Sequence, residues 1–474
     1  MDIIKNQINS IIGGDNVITD PKGLEPYSKG NISFIPERSP LMAVRPGTVE
    51  EVKSILRVAK ANKVPLTPFS SSNNGHGASI PSVPGITLDL RRLNTIHQID
   101  ESSRMATVEP GVSFEQLQKA VMEKGLRVAT PVELPADSSV ISTLLEMTPL
   151  YAWPKYNVEH LLTMEMLLAS GESVVTGAKI FPLFNEKLYM PIFTVPSIMD
   201  KAWFGAQGTF GIATQGTIKL KTNYDVNEVK FIPFNSFMEA LPFIRKIKEL
   251  DYGVEFFVAN SAHLGGVLTD NNDTYEELKD KLSPVTAVLV LRGEEGRVNY
   301  QREDLNDLSE SMGFKLDDNL PGVDNAGQII LDEMDFPKGY LRSTAIKGAY
   351  NVIPFICMAG QLPIFDMVTT QMAGAFKYDK KNIGMMLLPV ETARFHFQFS
   401  LFSNPAVPQE HMLVKKLFEV LSSTLIKMGA FYSRPYGEWA SQVYSKANQY
   451  KALIKEYKDV LDPDNILNPG KLDL

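Results

Sequence analysis

The stretch that most limits the fold is an uncharged run of small polar residues at 68–77, Pro-Phe-Ser-Ser-Ser-Asn-Asn-Gly-His-Gly. A helix is predicted before it, because Thr48 and Glu51 have capping-box spacing ahead of apolar residues at helical intervals. Apolar strands are predicted on either side of the run, at 64–66 and 86–90. Small polar residues in this position expose backbone N–H groups that can bind a diphosphate without a lysine. The run therefore indicates a nucleotide cofactor, although such a run taken alone is most often an ordinary turn.

Composition places the chain among ordinary globular proteins and excludes several functional classes. With 474 residues, of which 44% are hydrophobic and 22% charged, it is long enough for two or three domains. A net charge of −8 without a basic run argues against nucleic-acid binding. The single cysteine, Cys357, excludes an internal disulfide framework and a cysteine-ligated iron–sulfur cluster. Because there is no signal-peptide pattern and no apolar run of about 18 residues, we expect a cytoplasmic protein without a membrane span.

The order of predicted elements indicates an α+β fold in two parts. Short strands and helices alternate up to about residue 222, and from 223 longer strands alternate with charged helices. No Gly-x-Gly-x-x-Gly run follows a strand, so the ordinary dinucleotide-binding fold is not predicted. Residues 313–345 are rich in Asp, Gly and Pro, and they predict a surface loop or a partner-facing segment.

Five segments, in order along the chain, resemble the FAD-dependent vanillyl-alcohol oxidase / p-cresol methylhydroxylase (PCMH-type) flavoprotein family. The segments are Arg45-Pro46-Gly47-Thr48-Val49-Glu50-Glu51-Val52 with the 68–77 run, Val108-Glu109-Pro110-Gly111-Val112, residues 156–172, residues 203–214 and residues 461–471. The resemblance implies an FAD-binding domain of two α/β subdomains at 1–222. It also implies a cap domain with an antiparallel sheet covered by helices at 223–440, and a C-terminal segment, 441–474, that returns to the FAD domain.

The resemblance also implies where FAD would bind. The 68–77 run corresponds to the family's diphosphate loop, although it carries less glycine than family loops usually do. A flavin-contacting segment normally has a Gly-Gly or Gly-Asn pair where this chain has Ser142 and Thr143, and side chains there would weaken binding or shift the ring. The implied cofactor-binding residues are Pro68, Ser70, Ser71, Ser72, Asn73, Asn74, Gly75, His76, Gly77, Pro131, Ser138, Ser139, Ser142, Thr143, Gly208, Gly211, Ile212, Thr214 and Asn468.

His76 has two functional interpretations within the family. In some relatives a histidine of this loop bonds covalently to the 8-methyl group of the flavin. In the phenol-oxidising relatives the position is commonly aromatic and makes no such bond. We therefore predict FAD bound without a covalent link, and a link through His76 is the less favoured alternative. A loop histidine that simply bonds to backbone or phosphate is the structural alternative.

The resemblance also implies catalytic roles for residues of two further segments. Glu159, next to His160, matches an acidic–His pair that lies near the reactive flavin nitrogen in vanillyl-alcohol oxidase-like enzymes, and a surface pair is the alternative. Tyr432 and Arg434 match the neighbourhood of a Tyr–Arg pair that stabilises a phenolate, although Ser433 separates them here. The arginine of that pair also lies by the N1–C2=O edge of the flavin, where reduction builds negative charge. A structural ion pair is the alternative for Arg434.

The strand predicted at 394–400 has a polar face and a phenylalanine face, because side chains alternate with period two. Its polar face carries Arg394, His396, Gln398 and Ser400. Such a row either meets water or lines a pocket, where Arg394 and His396 would orient substrate and accept a proton. Some hydroxy-acid relatives have a metal-binding His-x-His motif in this strand. Here Gln398 replaces the second histidine, so no metal site is predicted.

These residues together predict an FAD-dependent oxidoreductase that transfers hydride from a substrate carbon to flavin N5. A small organic substrate is expected, and a 4-alkylphenol or aromatic alcohol is favoured. The alternatives are a hydroxy acid or other alcohol, with Arg394 or Arg434 pairing with a carboxylate, and a flavoprotein-derived, non-redox subunit of a larger complex. Electrons are expected to pass to oxygen or to a separate electron-accepting protein subunit, and a homodimer is the other assembly expected.

Overall fold

The structure, a computed structural model, describes residues 2–30, 32–71, 73, 76–132, 134–153, 155, 160–180, 198–391 and 393–474, except the side chains of 178 and 198–200. Its strands are β1 (Val17–Ile18), β2 (Met42–Val44), β3 (Leu66–Phe69), β4 (Ile86–Asp89), β5 (Ile96–Asp100), β6 (Met105–Val108), β7 (Leu126–Arg127), β8 (Leu161–Leu167), β9 (Ser173–Val175), β10 (Ile212–Lys219), β11 (Lys221–Thr222), β12 (Val226–Phe234), β13 (Glu255–Asn260), β14 (Val285–Gly293), β15 (Ala349–Met358), β16 (Ile383–Pro389) and β17 (Arg394–Ser403).

Helices surround these strands, and the predicted α+β fold is confirmed. The helices are α1 (Asp2–Ile12), α2 (Pro21–Leu24), α3 (Val49–Ala61), α4 (Phe114–Met122), α5 (Val140–Leu145), α6 (Phe237–Leu250), α7 (Ser261–Leu268), α8 (Asn272–Lys281), α9 (Glu295–Met312), α10 (Ala326–Asp335), α11 (Tyr340–Lys347), α12 (Leu362–Ala375), α13 (Pro408–Lys427), α14 (Glu438–Tyr444) and α15 (Asn448–Leu461). Across the described ranges, no helix combines the length and the apolar character that crossing a membrane requires.

Two sheets organise the N-terminal half. In the first, with strand order β1-β2-β4-β3, strand β4 pairs in parallel with β2 and β3. The second, with order β5-β6-β10-β8-β9, is antiparallel. Helices α1 and α3 pack on the first sheet through a shared cluster of buried aliphatic side chains. Residues 70 and 71 leave the carboxyl end of parallel strand β3, where open α/β sheets bind their ligands.

Helix α3, which delivers the chain into β3, begins where the sequence predicts. Thr48 Oγ1 accepts a hydrogen bond from the Glu51 backbone N–H at 3.2 Å. The Glu51 carboxylate accepts from the Gly47 N–H at 2.6 Å, one residue before the usual capping-box donor. The apolar residues at helical spacing are buried, namely Val52, Ile55, Leu56 and Ala59. The cap and the buried face together fix the start of this helix and its seat on the sheet.

A six-stranded antiparallel sheet dominates the second half, in the order β12-β14-β13-β16-β17-β15. Helices α6, α9, α12 and α13 cover one face, and α7, α8 and α10 cover the other. The prediction of a surface loop at 313–345 is wrong. Helix α10 lies in that range, with Ile330 and Met334 fully buried. Apolar residues at helical spacing decided the structure there, despite the flanking Asp and Gly residues.

The C-terminal segment packs against the N-terminal half. Leu467 forms a parallel bridge with Leu66 of β3. Lys458 and Asp462 form a buried ion pair at 2.6 Å, and Lys458 Nζ also donates to the Thr209 carbonyl at 2.9 Å. A buried ammonium requires such a set of acceptors. These contacts attach the tail beside the 68–77 loop, and the domain boundaries at 222 and 440 stay predictions.

A buried cluster of four charged groups joins the two halves of the chain. Arg127 of β7 and Glu255 of β13 each have 1% of their side-chain surface exposed, and Arg127 donates to the Glu255 carboxylate. Arg292 of β14 donates to the other Glu255 oxygen at 3.1 Å. Asp335 accepts from Arg292 at 3.0 Å and from Arg127 at 3.2 Å. Two positive and two negative groups therefore balance each other, with three of them buried and Asp335 partly exposed at the edge of the cluster.

Candidate functional site

A cleft of about 1100 Å³ lies between the loop after β3, helix α5, the 203–213 segment and the residues that follow α13. Many of the predicted site residues form the wall of this cleft. The predicted residues that line the cleft are Pro68, Ser70, Ser71, Asn73, His76, Ser142, Thr143, Gly208, Gly211, Ile212 and Arg434.

Other predicted cofactor residues support the wall from behind. Ser139 Oγ accepts from the Ser142 N–H at 3.2 Å and donates to the Pro110 carbonyl at 2.6 Å, so it fixes the start of α5. Asn468 Nδ2 donates to the carbonyls of Ala78 at 2.9 Å and Gln207 at 2.6 Å, which ties the tail to two sides of the cleft. The predicted residues outside the lining are Gly77, Pro131, Ser138, Ser139, Thr214 and Asn468.

Four predicted site residues lie outside the described residues: Ser72, Asn74, Gly75 and Glu159. Their roles stay predictions. His160, the neighbour of Glu159, is described and its side chain is buried.

The cleft wall carries buried polar atoms that have no hydrogen-bond partner among the described residues. They are His76 Nε2, Thr143 Oγ1 and Trp203 Nε1. A buried polar atom left unpaired costs about 1–3 kcal/mol, so this set indicates a polar ligand that completes the bonds. Gly208 keeps the cleft open: its φ is +69°, and an added Cβ would lie 3.0 Å from the Pro68 ring. The wall fits a ligand with several hydrogen-bonding groups.

One fixed positive charge faces the cleft. Among the described lining residues, Arg434 is the only arginine or lysine, and its Nη1 donates to Thr148 Oγ1 at 3.3 Å. Glu146 also lines the cleft and accepts from the Tyr436 hydroxyl at 2.7 Å. Burial raises the pKa of the Glu146 carboxyl, against the opposing effects of Tyr436 and Arg434. Because a guanidinium stays charged, Arg434 suits an anionic ligand group.

Sequence reasoning missed Glu146, Thr148 and Tyr436. Tyr436 lies two residues after Arg434 in the segment that resembles the family, so its position in the sequence could have predicted a place beside Arg434. Glu146 and Thr148 follow α5 in a stretch without a recognisable pattern, and only the folded chain brings them beside Arg434.

His76 is part of an aromatic stack at one end of the cleft. Its ring is parallel to that of Tyr436, with centroids 4.9 Å apart and planes at 10°. Trp439 lies on another side, with a centroid distance of 5.7 Å. Burial lowers the pKa of His76 well below its ordinary value, and the positive Arg434 lowers it further. His76 is therefore a neutral imidazole with one unpaired nitrogen available to a ligand.

The polar face of β17 points into the protein. His396 and Gln398 are buried, and His396 Nε2 lies 3.1 Å from Gln398 Oε1. Burial lowers the pKa of His396 to about 3, and the Arg434 charge contributes in the same direction. The water-facing alternative is wrong for these two residues. Neither residue lines the cleft, so the structure does not place this row on the cleft surface.

Tyr432 and Arg394, two of the predicted catalytic residues, lie away from the cleft lining. Tyr432 is buried in the core that packs on the six-stranded sheet, where its hydroxyl donates to the Ser422 carbonyl at 3.2 Å and its ring packs on Trp439. Arg394 is exposed and pairs with Glu391. As the first residue of β17, Arg394 projects from the end of the strand, beyond the buried row. Neither side chain lines the cleft.

Three comparisons with known proteins agree with this geometry. Residues 40–177 match a family model described as an FAD binding domain. An uncharacterised FAD-linked oxidoreductase of Mycobacterium tuberculosis is 28% identical over 244 residues, which is 51% of this chain and 50% of that protein. The chain thus spans about half the length of that relative. The solved structure of p-cresol methylhydroxylase with substrate bound superposes with a TM-score of 0.85 at 18% identity, over 100% of this chain and 96% of that chain.

The family model identifies the FAD-binding domain, and the superposition extends the fold to the whole chain. The chain carries an FAD binding domain and has the fold of p-cresol methylhydroxylase. The glycolate oxidase subunit GlcD of Escherichia coli is a more distant relative of this flavoprotein, 22% identical over 97% of this chain and 89% of that protein. Among the residues that the structure describes, no group of His, Cys, Asp or Glu side chains is arranged to hold a metal ion.

FAD is the cofactor of this flavoprotein, and the cleft fits it. Small residues and backbone at Ser70, Ser71 and Gly208 would receive the diphosphate, while the unpaired atoms of Thr143 and Trp203 would meet polar groups of the cofactor. The chemistry that FAD supplies when bound is the acceptance of a hydride. The replacement of a glycine pair by Ser142 and Thr143 leaves the cleft open.

We expect this flavoprotein to lose stability as the pH falls below about 6.5. Burial lowers the pKa of His263 to about 4 and that of His396 to about 3, and it lowers the pKa of His76 as well. In the unfolded chain each histidine has a pKa near 6.5, so below that pH the unfolded state binds more protons and is favoured. Each histidine contributes up to about 1.4 kcal/mol per pH unit. Urea unfolding at about pH 7.5, 6 and 5 measures the slope.

A pair of variants isolates the histidine contribution. His263→Gln should flatten the slope, and His97→Gln, at an exposed histidine, is the comparison variant. Burial raises the pKa values of the Glu146 and Glu333 carboxyls, so these two groups stabilise the folded state as the pH falls and oppose the histidine effect. The difference in slope between His263→Gln and the unmodified protein still reports the contribution of His263. Equal slopes for His263→Gln and the unmodified protein would contradict this account.

Proposed function

We propose that this protein is an FAD-dependent oxidoreductase that removes a hydride from a carbon of an anionic small organic substrate. The observation that carries the proposal is the fixed charge of Arg434 on the wall of the FAD cleft, beside the neutral His76. Arg434 would bind the substrate anion, and a preorganised charge of this kind stabilises negative charge where it develops. The unpaired His76 Nε2 would donate or accept one further hydrogen bond.

The other residues around Arg434 would orient the substrate. The Tyr436 hydroxyl is already engaged by Glu146, so its ring is held parallel to His76 and offers a flat apolar surface. Thr148 holds one nitrogen of the Arg434 guanidinium. A rigid charge next to a flat aromatic wall suits a planar anion, and placing the reacting carbon against the cofactor lowers the entropic part of the barrier.

A 4-alkylphenol or aromatic alcohol is the favoured substrate class. The aromatic wall of His76 and Tyr436 supports it, and so does the likeness in fold to p-cresol methylhydroxylase over the whole chain. The predicted partner of Arg434, Tyr432, is buried elsewhere, so Arg434 would hold the phenolate without it.

A hydroxy acid is the second candidate. A guanidinium binds a carboxylate through two parallel hydrogen bonds, and Arg434 offers that group. The match to the glycolate oxidase subunit across 97% of this chain also supports it. Arg394 has no part in this alternative, because it is exposed at the strand end.

Anaerobic titration of the purified protein tests the function. We expect flavin absorption in the purified protein, bleaching by 4-alkylphenols and not by 2-hydroxy acids. Bleaching by 2-hydroxy acids alone would reverse the two candidates, and protein without flavin bands would contradict the proposal and favour a non-redox subunit. Acid precipitation of the same sample should leave the yellow colour in the supernatant, because we predict no covalent bond to His76.

The acceptor, assembly and location follow as proposals of the same kind. Electrons taken from substrate must leave the protein through a separate acceptor, and oxygen and a protein subunit are the candidates. A homodimer and a cytoplasmic location stay predictions.

A further inference from the structure

A second groove lies directly beside the FAD cleft. It has an empty volume of about 1400 Å³ and is bounded by the 32–38 segment, helices α13 and α14 and the end of the chain. Three residues, His76, Gln207 and Tyr436, belong to the walls of both spaces. Arg434 lines the FAD cleft and not the groove. The groove therefore reaches the cofactor site without passing the positive charge assigned to the substrate.

An unbroken series of aromatic rings runs from the groove to the cleft. Phe34 and Phe418 have centroids 5.4 Å apart, and Phe418 and Trp439 are 5.7 Å apart. Trp439 lies 5.7 Å from His76, which stacks on Tyr436 at 4.9 Å. All five residues line the groove, and His76 and Tyr436 line the cleft as well. These rings, packed on one another, give the groove a largely aromatic wall, and a planar aromatic guest packs well against such a wall.

The groove also offers hydrogen-bond donors. Lys471 Nζ donates to the carbonyls of Gly77 at 3.0 Å and Ile80 at 2.7 Å. An ammonium has three donors, so this arrangement holds Lys471 in place and leaves one N–H for a ligand. Arg38 and Lys415 line the same groove and are exposed there. Donors at the edge of an aromatic pocket suit a ring that carries carbonyl oxygens.

We infer that this groove binds a small quinone, a planar ring with two ring carbonyls, as the acceptor that reoxidises the flavin. The inference rests on the proposed redox function. Two electrons and two protons leave the reduced cofactor, one quinone gains them, and the products are the oxidised cofactor and one hydroquinone. His76 and Tyr436 would form the wall between the cleft that would hold the cofactor and the groove that would hold the quinone.

Stopped-flow reoxidation tests this assignment without a known substrate. The purified protein is reduced anaerobically with one equivalent of dithionite and then mixed with a short-chain benzoquinone, or with oxygen as a separate arm. We expect saturating, rapid reoxidation by the quinone. Gln442→Trp, which fills the groove, should raise the half-saturating quinone concentration at least about tenfold, and Phe418→Leu should raise it less. Reoxidation by oxygen should stay the same in both variants.

Phe314→Leu is the matched control, because Phe314 packs against the same core cluster and lines neither the cleft nor the groove. The inference is overturned if Gln442→Trp and Phe418→Leu keep the quinone dependence of Phe314→Leu, or if only oxygen reoxidises the protein. It is also overturned if the groove variants slow bleaching by substrate and not reoxidation, which would make the groove a substrate entrance. Failure of the whole substrate panel, with groove-dependent quinone reoxidation intact, would count against the proposed substrates alone.

Discussion

Replacing Glu255 by glutamine is expected to lower the free energy of unfolding by about 3–5 kcal/mol. The Glu255 side chain is 1% exposed and accepts hydrogen bonds from Arg127 and from Arg292. Glutamine keeps the size of the side chain but removes its charge, so two buried guanidinium groups would share the single carboxylate of Asp335. An uncompensated buried charge is among the most costly defects in a folded protein. Urea unfolding followed by tryptophan fluorescence measures the change.

Glu228→Gln is the matched control for this prediction. Glu228 lies on β12 of the same sheet and also contacts two cations, Arg302 and Lys230, but its side chain is 23% exposed. Such partly solvated pairs contribute up to about 1 kcal/mol. If the two variants unfold at the same urea concentration, the buried cluster does not have the role in stability argued here. Because Arg127 and Glu255 belong to different halves of the chain, we also expect Glu255→Gln to release FAD at a lower temperature.

Arg434→Gln is expected to slow anaerobic flavin reduction by substrate about 100-fold to 1,000-fold. The substitution removes the one fixed positive charge on the described cleft wall, so negative charge on the substrate or the cofactor loses its partner. Arg434→Lys should recover part of the rate, because it keeps the charge but loses the planar pair of donors. The measurement is stopped-flow bleaching with the substrate identified in the panel.

Two other arginines make the Arg434 result interpretable. Arg302→Gln changes a surface charge paired with Glu228 and should leave the rate unchanged. Arg394→Gln should also leave the rate unchanged, because Arg394 is exposed in the folded chain. A slower rate would instead support its predicted catalytic role. A rate for Arg434→Gln within about threefold of the unmodified protein, less than 1 kcal/mol of barrier, would remove Arg434 from the proposed mechanism.

Local sequence patterns were sufficient wherever a structure depends on neighbouring residues. The Thr48 cap and the four buried residues of α3 follow from spacing alone, because a helix sets both its cap and its buried face within a few turns. Period two also placed His396 and Gln398 on one face of β17. The same pattern failed for Arg394, since alternation assigns a face but does not say where the covering layer of the sheet ends.

Family resemblance predicted the fold better than it predicted the positions of individual residues. The resemblance implied that Tyr432 contacts the substrate, although Ser433 interrupts the motif on which this depends. In the structure Tyr432 is buried in the core on the six-stranded sheet, and Tyr436 lines the cleft. A shift of a few residues in a loop changes which side chain faces a ligand, whereas the surrounding strands tolerate it. The resemblance therefore gave the cofactor and its loop but not the full set of neighbours around Arg434.

The sequence by itself determined that an uncharged run would follow a strand after a capped helix, although Pro68 and Phe69 belong to that strand, and that the chain would carry an FAD-binding domain. Only the tertiary structure decided that Glu146, Tyr436 and Arg434 meet in one cleft, and that Glu255 meets Arg127 across 128 residues of sequence. The physical reason is that capping and periodicity act over a few residues, whereas a buried charge selects its partner by the packing of whole sheets.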